Sequence, residues 1–87
     1  MIELRYGPRF WKQAGELPKA QQEKLAFLVR FLETDPFDPR LYTKPLKPPL
    51  EGSYVFRITR DWRDQFRFLD ARTIQLMNVK HRKDIYR

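Results

Sequence analysis

Residues 53–68 read SYVFRITRDWRDQFRF, and this stretch decides the fold class. Large apolar side chains occupy every second position in two consecutive runs, which is the period of a strand that buries one face. The Arg-Asp pair at positions 60 and 61 separates the runs and predicts a tight hairpin turn. The stretch therefore predicts two adjacent antiparallel strands. The alternating apolar residues are Tyr54, Phe56, Ile58, Trp62, Phe66 and Phe68.

Upstream of this hairpin the sequence predicts one strand and two helices. Residues 2–6 alternate like a strand, and a short helix follows that ends near Gly15. Apolar residues at positions 25, 28, 29 and 32 predict a longer helix from Pro18 to about Thr34, where Asp35-Pro36 ends it. Residues 35–50 are rich in proline, and we interpret them as a stiff crossover that leads to the sheet.

Downstream, a turn at residues 70–72 and a strand over residues 73–79 complete the pattern. The predicted order is β-α-α-β-β-β. It favours an α+β fold with an antiparallel sheet and both N-terminal helices packed on one face. At 87 residues the chain holds one small core, so residues 1–87 form a single domain.

Composition narrows the possible functions. The chain has no cysteine, which excludes a disulfide scaffold, a cysteine nucleophile and the common cysteine-based zinc sites. It has one histidine, which excludes a histidine-rich metal centre, and its motifs indicate no cofactor. No apolar run approaches the roughly 20 residues of a membrane span, and the N-terminus lacks a signal peptide's apolar segment. We expect a cytoplasmic protein, whose net charge of +7 and pI of about 10.1 favour a nucleic-acid partner.

Strand parity groups three arginines on the sheet face that points away from the helices. If Phe56 and Phe66 face the helices, then Arg57, Arg63 and Arg67 point to the opposite side, which we call the arginine face. Like charges on neighbouring strands destabilise a sheet, so an anion such as phosphate is the expected counterpart. The alternative is a solvated face neutralised by nearby acids. Asp64 has the parity of the buried face and is a poor partner for these arginines.

The chain closes on HRKDIYR at positions 81–87, directly after the last predicted strand. Histidine exchanges protons near neutral pH, which makes His81 a candidate for acid–base chemistry. Tyr86 is able to stack on a nucleobase or to donate a proton. The alternative is an ordinary basic tail with a surface histidine and a tyrosine that packs back onto the domain.

Several short motifs, in order over nearly the whole chain, resemble the RelE/ParE toxin superfamily, and in particular its RelE branch. They are LPK at positions 17–19, DP at 35–36, GSYVFRI at 52–58, DWR at 61–63 and VKHRKDIY at 79–86. The terminal motif is the most specific. The resemblance implies the toxin of a type II toxin–antitoxin pair, which cuts messenger RNA in the A site of the ribosome without a metal. It also implies attack of a ribose 2′-hydroxyl on the scissile phosphate, and inhibition by an acidic antitoxin.

The same resemblance implies roles for individual residues. Arg57 is a basic residue of the site, Arg63 holds the scissile phosphate and Arg82 stabilises the charge of the phosphorane. Tyr86 stacks on a base or assists proton transfer, and His81 is the candidate general base or acid. Further cations expected to bind RNA are Arg60, Arg67, Lys80, Lys83 and Arg87.

Two other functions stay open, and the sequence departs from the family pattern at one place that bears on the choice between them. A ParE-like toxin would poison DNA gyrase, although such chains tend to lack the terminal His-Arg…Tyr cluster. A non-catalytic RNA-binding relative would keep the fold without the activity. The departure is Asp64 and Gln65, which stand where the family strand is usually apolar. A buried unpaired charge is costly, so we expect that strand to be bulged, at a sheet edge, or paired with a basic partner.

Overall fold

A computed structural model describes residues 1–85, which form a five-stranded sheet with two helices packed on one face. The elements in chain order are β1 (Glu3–Tyr6), α1 (Phe10–Gly15), α2 (Lys19–Thr34), a 3-10 turn (Pro39–Leu41), β2 (Lys44–Pro45), β3 (Ser53–Arg57), β4 (Trp62–Asp70), β5 (Thr73–His81) and α3 (Arg82–Ile85). The predicted α+β class is confirmed. Over the described residues no helix has the length and hydropathy needed to cross a membrane.

The strands lie side by side in the order β1-β5-β4-β3-β2. Both predicted hairpins are present, because β3 pairs antiparallel with β4 and β4 pairs antiparallel with β5. The sheet is antiparallel as predicted except at its first edge, where β1 runs parallel to β5. Only β1 precedes the helices, and the long path through α1 and α2 permits a parallel pairing that a short hairpin does not.

The core lies between α2 and the sheet and follows the predicted periodicities. Leu25, Leu28 and Leu32 form the buried stripe of α2, and Phe56 and Phe66 face them from β3 and β4. Helix α2 begins directly after Pro18, whose φ of −54° suits a helix start, and it ends before Pro36. The parity that defines the arginine face is therefore confirmed.

Element boundaries differ from the prediction in three places. The crossover contains the 3-10 turn and the short edge strand β2, so it is less irregular than its prolines indicate. The β3–β4 connection has four residues, since the N–H groups of Ile58 and Thr59 both donate to the carbonyl of Trp62, at 3.0 and 3.4 Å. Strand β5 continues through His81, and the chain then turns into α3.

Asp64 lies in the central strand β4 and is completely buried on the helix side of the sheet. Its cross-strand neighbours are Phe56 and Val79, and neither carboxyl oxygen has a hydrogen-bond partner. The expectation of an edge strand or a basic partner was wrong. A bulge, the third expected possibility, is present at this point, but the extra residue lies in β5, which places two residues between Leu76 and Val79 against the one residue between Asp64 and Phe66. Burial raises the pKa of Asp64 well above its ordinary value, so the folded protein stabilises the neutral acid.

Candidate nucleic-acid interface

A row of three cations crosses the arginine face. Arg57 of β3 stands directly opposite Arg63 of β4, and Arg63 stands opposite Lys80 of β5. Directly opposed residues on neighbouring strands have Cβ atoms about 4.5–5.5 Å apart, so three positive side chains leave the sheet within one small area. This density of like charge favours binding of an anion.

The strand positions around the row carry no compensating carboxylate. The next row pairs Val55 with Gln65, whose amide oxygen accepts a hydrogen bond from Asn78 Nδ2 at 3.0 Å. One row further, Arg67 Nε donates to Gln75 Oε1 at 3.2 Å. Arg67 therefore lies on the predicted face but two rows from Arg63, and it is engaged with a neutral amide. Within two rows of the cations, the described positions of β3, β4 and β5 on this face carry no acidic residue. An acidic strand residue of this face is Glu3 of β1, which stands beside Thr73 at the other end of β5 and forms an ion pair with Arg5 at 3.5 Å.

The guanidinium of Arg63 is held in place by the connection before it. Its Nη1 atom donates to the carbonyl oxygens of Thr59, Arg60 and Trp62, at 2.7, 3.0 and 3.1 Å. These bonds close the four-residue turn and engage one of the two terminal nitrogens of the guanidinium group. A guanidinium that is already oriented loses little freedom when it binds an anion, which is the condition for preorganised electrostatic stabilisation.

Helix α3 folds back over the arginine face and brings Arg82 to the turn. Ile85 packs against Val55 and Leu46 in a second, smaller apolar cluster. At the other end of α3 the backbone N–H of Arg82 donates to the carbonyl of Asp61 at 2.7 Å, and the two side chains form an ion pair at 3.6 Å. The signal for this cluster was present in the sequence, because Val55 is apolar at a position with outward parity.

His81 lies on the helix side of the sheet and not on the arginine face. It pairs with Trp62, and the two rings meet edge to face at a centroid distance of 5.5 Å. Both line a groove of about 630 Å³ beside α1. His81 Nδ1 accepts the N–H of Lys83 at 3.2 Å, which places the proton of a neutral ring on Nε2. Because side chains alternate along β5, His81 and Lys80 point to opposite faces of the sheet although they are consecutive in the sequence.

The structure thus brings together Arg57, Arg63 and Lys80, with Arg82 at the adjoining turn. Arg60 and Lys83 are exposed beside them, in the turn and in α3. The other two predicted site residues, Tyr86 and Arg87, lie outside the described residues. Residues 1–85 contain no group of three or more histidine or acidic side chains able to hold a metal ion.

Sequence reasoning missed one aromatic residue at this face. Tyr42 follows the 3-10 turn, and its ring lies beside the guanidinium of Arg57, with 5.0 Å between the ring centroid and Cζ. Its position in a proline-rich connection, interpreted as a crossover, gave no indication of this contact.

No family model matches the sequence, and no curated protein matches it. Solved structures do match. YafQ from E. coli superposes with a TM-score of 0.80 at 16% identity, with all of both chains covered. The YoeB/ParE toxin from Agrobacterium tumefaciens superposes with a TM-score of 0.76 at 21% identity, over 92% of this chain and 98% of that one. The chain has the RelE/ParE toxin fold.

A third match to this fold is the RelB–RelE antitoxin–toxin complex from Methanococcus jannaschii, with a TM-score of 0.75, 20% identity and 94% of each chain covered. At these identities the likeness is one of architecture. It places β3, β4 and β5, and with them the cation row, on a RelE/ParE-type sheet.

Proposed function

We propose that this RelE/ParE-fold protein is the toxin of a type II toxin–antitoxin pair and that it cleaves messenger RNA in the A site of the ribosome. The observation that carries the proposal is the row of Arg57, Arg63 and Lys80, flanked on the same face of β3, β4 and β5 by described residues none of which is acidic within two rows. Such a row suits a phosphodiester that gains negative charge during a reaction. The terminal motif and the fold support the same assignment.

The proposed reaction is transfer of the scissile phosphate to the neighbouring ribose. The 2′-hydroxyl loses its proton and its oxygen bonds to phosphorus, while the bond from phosphorus to the 5′-oxygen breaks. The leaving 5′-oxygen takes up a proton, so the products are a 2′,3′-cyclic phosphate and a 5′-hydroxyl. The step needs no metal, since the cations of the protein stabilise the phosphorane.

Each site residue has a proposed part in that reaction. Arg63, oriented by three backbone carbonyls, holds the scissile phosphate. Arg57 and Arg82 stabilise the added charge from either side. Proton transfer falls to Tyr86, because His81, the other candidate from the sequence, lies on the helix side of the sheet and away from the row of cations. The remaining predicted cations, Arg60, Arg67, Lys80, Lys83 and Arg87, would bind the RNA backbone.

The proposed protein partner is an acidic antitoxin that covers the arginine face. The net charge of +7 favours an acidic partner, and one of the matched structures is an antitoxin–toxin complex. An antitoxin that neutralises the row of cations would relieve the repulsion among them and would exclude RNA at the same time. In a complex, burial of Arg57 and Arg63 by the antitoxin is the expected result.

The experiment combines growth arrest with cleavage on ribosomes programmed with a defined A-site codon. Induction of the wild-type chain should arrest growth, and cleavage mapping should place one cut in the A-site codon. Arg57→Ala and Arg82→Ala should each reduce the cleavage rate by about 10²–10³-fold, the usual effect of removing one preorganised donor to a charged transition state. Arg30→Ala is the matched control, because Arg30 is an exposed arginine on α2, on the opposite side of the sheet.

A message with a 2′-deoxy sugar at the scissile position tests the nucleophile, because it should bind and stay intact. The proposal fails if the deoxy message is cut at the same site, or if the arginine variants cleave as fast as Arg30→Ala. Growth arrest with inhibition of DNA supercoiling and intact messages would instead identify a gyrase poison. RNA binding without cleavage would identify a non-catalytic relative.

A further inference from the structure

Tyr42 adopts a backbone conformation that bulky residues rarely take. Its φ is 53° and its ψ is 38°, in the left-handed region, and it is the one non-glycine residue with positive φ in the part of the chain that the structure describes. This conformation crowds Cβ against the backbone and is unfavourable for a tyrosine. Strained residues persist where the surrounding structure holds them, and they concentrate at functional sites.

The segment around Tyr42 is built to hold it. The carboxylate of Asp38 caps the 3-10 turn by accepting the N–H of Arg40 at 2.9 Å, and Leu41 is fully buried in the main core. The hydroxyl of Thr43 donates to the carbonyl of Pro36 at 2.6 Å on the other side. Tyr42 therefore stands between two anchored neighbours, so its backbone conformation, and with it the direction of its Cα–Cβ bond, is held before any ligand binds.

The ring that this segment presents is exposed at the arginine face. Tyr42 is 64% exposed, and its ring lies over the guanidinium carbon of Arg57 at 5.0 Å. Packing does not explain the strained conformation, because so much of the ring meets solvent. A cation–π contact at an exposed site is also a weak interaction. What the backbone conformation achieves is an exposed aromatic surface directed to the row of cations.

We propose that Tyr42 is a stacking platform for one nucleobase of the bound RNA strand, with Arg57 holding the phosphate next to that base. The inference rests on the proposed function, because it places a base-binding subsite in the same RNA site. Single-stranded RNA is bound by aromatic rings that stack on unpaired bases and by cations that follow the backbone. Tyr42 and Arg57 supply one of each in direct contact.

Binding to programmed ribosomes tests the subsite without cleavage. The A-site codon carries 2′-O-methyl sugars, which block attack by the 2′-oxygen, and the dissociation constant of labelled protein is measured. Tyr42→Ala should weaken binding about 5- to 150-fold, the range that loss of one aromatic–base stack produces. Tyr42→Phe and Tyr42→Trp should bind like the wild type. Phe27→Ala should also bind like the wild type, because Phe27 is a comparably exposed aromatic, at 52%, on helix α2.

An abasic scan of the codon and its neighbours identifies stacking directly. Each nucleotide in turn is replaced by one without a base, and wild type and Tyr42→Ala are compared on each message. At one position the two proteins should bind equally, because the base that Tyr42 contacts is gone. If Tyr42→Ala weakens binding by the same factor on every abasic message, or does not weaken it on the intact message, the stacking inference is overturned.

Arg57→Ala separates this inference from the proposed function. If Arg57→Ala weakens binding and Tyr42→Ala does not, the RNA site stands and the stacking platform is wrong. If the wild type does not bind programmed ribosomes, or Arg57→Ala binds as the wild type does, the proposed function fails and the platform fails with it. Thermal unfolding of Tyr42→Ala should match that of Tyr42→Phe within a few degrees, which excludes misfolding as the cause of weaker binding.

Discussion

Replacing Asp64 with valine should stabilise the protein. The carboxyl group of Asp64 is fully buried among apolar neighbours, and neither oxygen has a hydrogen-bond partner. A buried polar group without a partner costs about 1–3 kcal/mol of folding free energy. Valine is slightly larger than aspartate, suits a strand and returns apolar contact to the site. We therefore expect a gain of about 1–3 kcal/mol, which for a domain of this size raises the melting temperature by about 4–8 °C per kcal/mol.

The gain should depend on pH in a defined direction. Burial raises the pKa of Asp64 in the folded state, while the unfolded chain keeps an ordinary pKa near 3.9. The folded protein thus binds the proton of Asp64 more tightly than the unfolded chain does. The stability that comes from this tighter binding is complete below pH 4 and is lost as pH rises toward the folded pKa. Between the unfolded and the folded pKa the free energy of unfolding falls by up to about 1.4 kcal/mol per pH unit, and above the folded pKa it falls no further. The advantage of the valine variant should grow over the same window.

Asp64→Asn separates the pH-dependent effect of titration from the pH-independent cost of the buried polar group. Asparagine is close in size to aspartate, stays polar and does not titrate. Wild type, Asp64→Asn and Asp64→Val are unfolded in urea at pH 4, 5, 6, 7 and 8, with the fluorescence of the neighbouring Trp62 as one probe. The difference between Asp64→Asn and wild type should be small at pH 4 and should favour the variant increasingly as pH rises. Asp64→Val should exceed Asp64→Asn by a constant amount. Differences between variants cancel the titration of all other groups.

A pH-independent difference between wild type and Asp64→Asn would refute the reasoning, because it would mean that Asp64 has the same pKa folded and unfolded. A valine variant less stable than wild type would refute the structural premise. That result would require a partner for the carboxylate that stabilises its charge. Since Asp64 faces the helices, all three proteins should keep the same affinity for programmed ribosomes.

Three further predictions concern the surroundings of the interface. Gln13→Ala removes the acceptor that binds the Val79 N–H at 2.8 Å, where β1 no longer flanks β5, and should cost about 1–3 kcal/mol in urea unfolding. Ile85→Ala should release α3, seen as faster amide hydrogen exchange at Arg82 with exchange in the main core unchanged, since Ile85 packs only in the smaller cluster. Asp61→Asn should change stability by less than about 1 kcal/mol, because its ion pair with Arg82 is exposed, and a larger thermal shift would contradict that view.

The alternation of residues 53–68 was sufficient to predict the central hairpin and the arginine face. A strand has a side-chain period of two, so parity follows from the sequence once the buried members are known. The leucine stripe of α2 predicted its buried face, and the proline that follows predicted its end. Both are local signals, because each depends on residues within one or two turns of the helix. Arg57 and Arg63 accordingly share one face, and the register of the hairpin sets them opposite each other.

Parity is not sufficient where the strand is irregular. The extra residue of β5 between Leu76 and Val79 shifts every later side chain, so Lys80 emerges on the arginine face and His81 on the other. Counting alternate residues from the buried Ile74 would have placed Lys80 on the helix side of the sheet and His81 on the arginine face. No local signal marked the shift, because a bulge is fixed by pairing with the neighbouring strand rather than by the residues that form it.

The sequence by itself determined the class of fold, the side of the sheet that carries the arginines and the positive charge of the molecule. These depend on periodicity and composition, which are properties of neighbouring residues along the chain. Only the tertiary structure decided that Asp64 is buried without a partner, that β1 runs parallel to β5, and that Tyr42 stands over Arg57. Each of these joins segments that are far apart in sequence, and such contacts are fixed by how the whole chain packs.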